Sequence, residues 1–152
     1  MKKLIFSFAL VLIITSLNVN AQDADKIKGY WLTEEGKAQI YVYKAKNGSY
    51  YGKISWLRDP NEFGAPKKDK DNPDESLRER PLMDLLILRS IEYDAKKNEW
   101  NGGTIYNSKG GKTYDAYLWF EEGNNDVLQM KGHIPGIRFL GKESSWTREE
   151  KR

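Results

Sequence analysis

The chain has 152 residues, no cysteine, 25 Lys plus Arg against 22 Asp plus Glu, five Trp and nine Tyr. Once residues 1–21 are set aside as a leader, Lys2 and Lys3 leave with them and 23 cations face 22 anions, a net of +1 that lacks the electrostatic footprint nucleic-acid binding needs. That length fits one domain able to bury a core without a disulfide or a metal. Leu, Ile, Val and Phe supply only 23 of residues 22–152, so aromatic rings, which also favour strands, must furnish much of the bulk.

Met1, Lys2 and Lys3 give a charged start, Leu4 to Leu17 an apolar run broken only by Ser7, Thr15 and Ser16, and Val19-Asn20-Ala21 a small-residue exit. This is the pattern of a secretory signal peptide cleaved after Ala21. A run of 14 residues is short of the roughly 20 that span a bilayer core, so the processed chain is expected not to be membrane-spanning. No cysteine follows that could carry a lipoprotein anchor, and a periplasmic or secreted product is expected. The expected organisation is therefore a signal peptide at 1–21 and a single β-barrel domain at 22–152.

Short strands punctuated by turns follow. Gly29-Tyr30-Trp31 opens the first, and Ala38, Ile40 and Val42 alternate with Gln39, Tyr41 and Tyr43 at the strand period of two. Asn47-Gly48 is a strong hairpin signal, and Tyr50 to Leu57 returns from it. Further strands are expected over Leu85 to Tyr93, Trp100 to Tyr106, Lys112 to Phe120, Val127 to His133 and Arg138 to Arg148. About eight antiparallel strands joined by tight turns avoid unpaired edges by closing, which predicts an all-β, single up-and-down barrel. Gly52, Gly102, Gly103, Gly132 and Gly141 within the strands would supply the coiling that closure requires. A membrane barrel is the rival, but strands of seven to nine residues are short for one and no clean lipid-facing band is seen.

The meander is interrupted at Arg58 to Asp84, 27 residues holding 14 charges and four prolines. Connections of this length are usually functional, and this one is expected to cover a barrel end and gate it, its prolines preventing strand pairing. Asn72-Pro73-Asp74-Glu75 offers a cap, a proline at the first helical position and first-turn acids, predicting at most two helical turns before Pro81.

Gly29-Tyr30-Trp31 and Trp146-Thr147-Arg148 resemble the lipocalin-like, or calycin, arrangement in which a Trp near the start of the barrel packs against an Arg near its end. Tyr51-Gly52-Lys53-Ile54, Asp71-Asn72-Pro73, Arg80-Pro81-Leu82, Trp100-x-Gly102-Gly103-x-Ile105-Tyr106, Gly111-Lys112-Thr113-Tyr114 and Leu140-Gly141 extend the likeness. In that order they resemble the secreted bacterial family known as domain of unknown function 2147. The resemblance implies a calycin-like barrel outside the cytoplasm, with Gly29, Trp31, Trp146 and Arg148 as its structural signature. The family pattern favours Gly where Asp84 stands and Asp-Pro where Asn107-Ser108 stands.

Catalytic chemistry finds little support. His133 is the only histidine, no G-x-S-x-G turn exists, and zinc has no ligand set, so no catalytic residue, metal or cofactor is assigned and the chain reads as no enzyme. Asp69, Asp71, Asp74 and Glu75 are interleaved with lysines in a segment expected to be wet, without the burial that acid/base work by paired carboxylates requires. Pro73 stands where a calcium loop would need a ligand, so Asp71 and Asn72 are expected to tie the loop to backbone. Gly102-Gly103 and Gly110-Gly111 open no helix and make no phosphate loop. Tyr41, Tyr43, Tyr117 and Trp119 lie on the face opposite Ile40, Val42, Ala116 and Leu118, and the pattern leaves open which face is interior. The expected function is binding of a small apolar or amphipathic ligand at an open barrel end, with Trp56, Asp71, Asn72, Arg80, Tyr106 and Tyr114 as candidate contacts and Arg80 facing an anionic end. An envelope interaction or structural module with a filled barrel is the alternative, its protein partner undefined.

Overall fold

A computed structural model describes residues 21–152. The expected leader, Ala21 excepted, lies outside the described residues. In chain order the strands are β1 (Gly29–Leu32), β2 (Ala38–Lys44), β3 (Tyr50–Leu57), β4 (Asn61–Glu62), β5 (Ala65–Pro66), β6 (Leu86–Asp94), β7 (Glu99–Asn107), β8 (Lys112–Phe120), β9 (Val127–Ile134) and β10 (Ile137–Glu149). Eight of them close into one antiparallel barrel in the order β1-β10-β9-β8-β7-β6-β3-β2, while β4 and β5 form a separate ribbon. Closure leaves no strand edge free, as the meander pattern requires.

The face left open by the sequence is settled by size and polarity. Ile40, Val42, Ala116 and Leu118 point into the barrel and are buried, together with Leu88, Leu128 and Trp146. Tyr41, Tyr43, Tyr117 and Trp119 lie outside and half-buried, where hydroxyl and indole groups meet water. Outside they stack, Tyr30 on Tyr41 across β1 and β2 at 4.7 Å between ring centroids, and along single strands Tyr41 on Tyr43 at 5.8 Å and Tyr117 on Trp119 at 5.3 Å. Coiling brings backbones together at Gly103 and Gly141, where a Cβ would lie 2.1 Å from the carbonyl oxygens of Arg89 and Gly132, so no side chain fits.

One end of the barrel is sealed. Residues 21–25 are helical, an element the sequence pattern did not suggest because five residues carry no readable period. Ala24 and Ile27 enter the core from this segment. Trp100 Nε1 donates to the Ala24 carbonyl at 2.9 Å, Trp31 Nε1 to the Ile27 carbonyl at 2.9 Å, and the Tyr50 hydroxyl to Asp25 at 2.7 Å. The Arg148 guanidinium sits 4.2 Å from the Trp31 ring centroid and donates to the carbonyls of Lys26, Lys28 and Asn125. All core residues among those described lie between Ala24 and Trp146.

Two expectations for the long segment are corrected. Its prolines do not exclude strand pairing, since Asn61 pairs with Pro66 and Lys68 bridges Pro81; proline is tolerated because these are edges whose missing N–H faces away from the ladder. The helix is a single 3₁₀ turn, Glu75–Leu77, capped by Asp74 rather than Asn72. Asn72 instead closes the preceding turn, its Oδ1 accepting the Asp74 N–H, and Asp74 accepts the Ser76 N–H as the cap. Asp84 adopts φ +63°, a conformation that favours glycine, and its carboxylate accepts a hydrogen bond from Lys53 at 2.6 Å.

Candidate functional site

At the end opposite the seal, the barrel opens into a cavity of about 620 Å³. Trp146, Met130 and Ile105 form its floor, Tyr106, Tyr114 and Gly132 its wall, and Ile134, Leu140 and the β1–β2 loop its rim. The space exists because β9 and β10 present Gly132 and Ser144 inward at a level where lower layers carry Leu128 and Trp146. A Cβ on Gly132 would already press on Ile105 at 3.2 Å. Charged groups at the rim include Glu34, Glu35, Lys37, Lys142 and Glu143. The Glu35 carboxyl is held below its ordinary value, chiefly by a hydrogen bond from Lys37 and also by the charges of Lys142 and Lys109.

Behind the Tyr106 ring stands the feature the sequence reading missed. Asp69, expected in a wet charge run, is fully buried. Its carboxylate accepts from Arg80 Nε at 2.9 Å and a second guanidinium nitrogen at 2.7 Å, from Asn72 Nδ2 at 2.7 Å and from the Tyr106 hydroxyl at 2.7 Å. Four hydrogen bonds and a counter-charge are what a carboxylate needs to leave water. Burial, and then the bond to Asp69, push the Tyr106 phenol above its ordinary pKa, so it is a fixed donor rather than an acid. Asp71 accepts the Gly110 N–H at 3.0 Å, and Asn72 Oδ1 accepts the Asp74 N–H at 2.9 Å. Gly111, at φ +64°, passes so close to the Asp71 carbonyl that a Cβ would lie 1.9 Å from its oxygen.

Of the expected contact residues, Tyr106 and Tyr114 line the cavity. Asn72 and Arg80 pack behind Tyr106, Arg80 with its charge engaged by Asp69, and Asp71 is tied to the β7–β8 turn. Trp56 stands apart from the lining, with the Arg152 guanidinium 4.5 Å from its ring centroid. The segment from Arg58 to Asp84 is thus bolted to the end of β7, and none of its residues lines the cavity. Met130, Ser144 and Lys142 were not singled out in the sequence, and Gly132 was read only as a coiling glycine. Their signal is small or flexible residues on the inward register of β9 and β10. His133 is buried, with Nδ1 3.0 Å from the Ile134 carbonyl oxygen. Among the described residues no group of three or more His, Cys, Asp or Glu could hold a metal ion.

A closed eight-stranded meander, plugged at one end and hollow with an apolar lining at the other, is a lipocalin-like barrel. The family described as "Uncharacterized protein conserved in bacteria (DUF2147)" matches residues 29–148, and the chain belongs to it. A solved structure, that of protein HP1028 from Helicobacter pylori, described as belonging to the lipocalin family, is similar, with a TM-score of 0.69 and 25% identity over 82% of this chain and 83% of that one. Among curated proteins no sequence matches the chain.

Proposed function

We propose that the protein is an exported carrier that holds one small apolar or amphipathic molecule in its open-end cavity without covalent chemistry. The observation that carries this reading is the cavity: about 620 Å³, floored by Trp146, Met130 and Ile105, with charged groups at its rim. A barrel filled solid would favour a purely structural module, and the space above Trp146 speaks against it. With Arg80 engaged by Asp69, Lys142 is the rim cation best placed for an anionic end, carrying no ion pair among the described residues. Export rests on the leader pattern of residues 1–21, and intact mass of the secreted product should give a chain beginning at Gln22.

Anilinonaphthalene sulfonate, an apolar body with an anionic end, tests the cavity directly. Residues 22–152 should bind it saturably at one site. Ser144→Trp, which places an indole in the cavity, should weaken binding about tenfold or more, the equivalent of about 1.4 kcal/mol. Unsaturable binding, or equal affinity in the variant, would overturn the reading.

A further inference from the structure

The rim carries a feature that enclosing a ligand does not explain. Ile134 (43% exposed), Ile137 (38%), Phe139 (81%) and Leu140 (48%) crowd the β9–β10 hairpin. The register between the two strands slips between Ile137 and Gly141, so Arg138, Phe139 and Leu140 have no partner on β9 and are exposed. Across the barrel, the β4–β5 ribbon leaves the same end from β3, and its turn carries Phe63 fully exposed at φ +52°. That conformation suits Asn or Gly, so an aromatic ring there has neither a backbone nor a packing reason in the isolated chain.

The charges beside the hairpin identify what could cover it. Residues 107–112 and 131–143 hold Lys109, Lys112, Lys131, Arg138 and Lys142 against Glu143, while Glu34 and Glu35 stand on the β1–β2 loop at the same rim, Glu35 paired with Lys37. Glu143 and Glu99 engage Lys131 and Arg138, and Lys109, Lys112 and Lys142 have no ion pair among the described residues. An apolar tip flanked by free lysines is the pattern of a segment that enters the headgroup region of an anionic bilayer. A second copy fits poorly, because a two-fold contact would set these lysines against themselves. Ile134 and Leu140 also line the cavity, so apolar surface runs unbroken from the floor to the hairpin tip.

We propose that the β9–β10 hairpin docks the open rim on an anionic lipid surface, so that the cavity is filled or emptied at the bilayer; this rests on the carrier reading above. Residues 22–152 are floated with phosphatidylcholine vesicles containing roughly 30% phosphatidylglycerol, and with vesicles of phosphatidylcholine alone. The expected result is binding to the anionic vesicles, weakened by added salt and about tenfold or more by Phe139→Asp. Phe139 lies outside the cavity lining, so the variant should keep its melting temperature and its affinity for anilinonaphthalene sulfonate measured without lipid. Dye binding with no vesicle binding overturns docking and leaves the carrier reading standing; vesicle binding without dye uptake does the reverse. Loss of a concentration-dependent dimer in Phe139→Asp, with no vesicle binding by either form, would also overturn docking, in favour of self-association.

Discussion

Replacing Arg148 by Met removes the clasp at the sealed end while keeping most of its length. The guanidinium donates to the carbonyls of Lys26 at 2.7 Å, Lys28 at 3.0 Å and Asn125 at 3.1 Å, and covers the buried Trp31 ring. About a third of the side chain meets solvent, so water can partly serve the freed carbonyls. A cost of about 0.5–1 kcal/mol for each of the three gives about 2 kcal/mol. The guanidinium over an indole adds about 1 kcal/mol. The total, about 3 kcal/mol, should lower the urea midpoint by about 2 M at a slope near 1.5 kcal/mol per M, followed by tryptophan fluorescence. Arg148→Lys should recover about a third of that or less, since an ammonium cannot reach three carbonyls and cover the ring at once. A midpoint moved by less than about 0.5 M, or full rescue by Lys, would refute the assignment of the guanidinium fork as the clasp.

Three other perturbations test the frame. Burial raises the Asp25 carboxyl, but hydrogen bonds from Lys28, Tyr50 and Lys44 outweigh it and hold its pKa at about 2 against an ordinary 3.8. The stability it contributes is therefore complete above about pH 4 and lost as pH falls toward 2, and urea midpoints against pH should lack this part of the acid limb in Asp25→Asn. Gly111→Ala must displace the Asp71 backbone and should cost more than about 2 kcal/mol while exposing residues 58–84 to protease, whereas Gly123→Ala, with nothing within 4 Å of its Cβ, should cost about 1 kcal/mol. Melting temperatures in calcium and in EDTA should be equal, because the acidic residues of the long segment are bound to protein donors.

The barrel was legible because its information is local. Alternation at Ile40 and Val42 or Ala116 and Leu118 reads directly as strand, and Asn47-Gly48 turns where such a pair should, with Gly48 at φ +88°. Which face turned inward was not legible, since aliphatic and aromatic faces alternate with equal regularity. The fate of Asp69 was hidden for another reason: Tyr106, 37 positions away, donates one of the hydrogen bonds that make its burial tolerable. Charge composition predicted a wet loop because it counts groups without knowing their partners. The cavity depends on inward volume, and Gly132 beside Ser144 and Met130 was the available hint.

The seal at Ala24 and Ile27 makes the barrel a cup rather than a pipe. On the carrier reading, contents that enter over the rim leave over the same rim, so a newcomer cannot push its predecessor through, and each round trip is one pick-up and one drop-off. The stopper is residues 21–27, so the stretch just after the expected leader decides that the vessel has a single door.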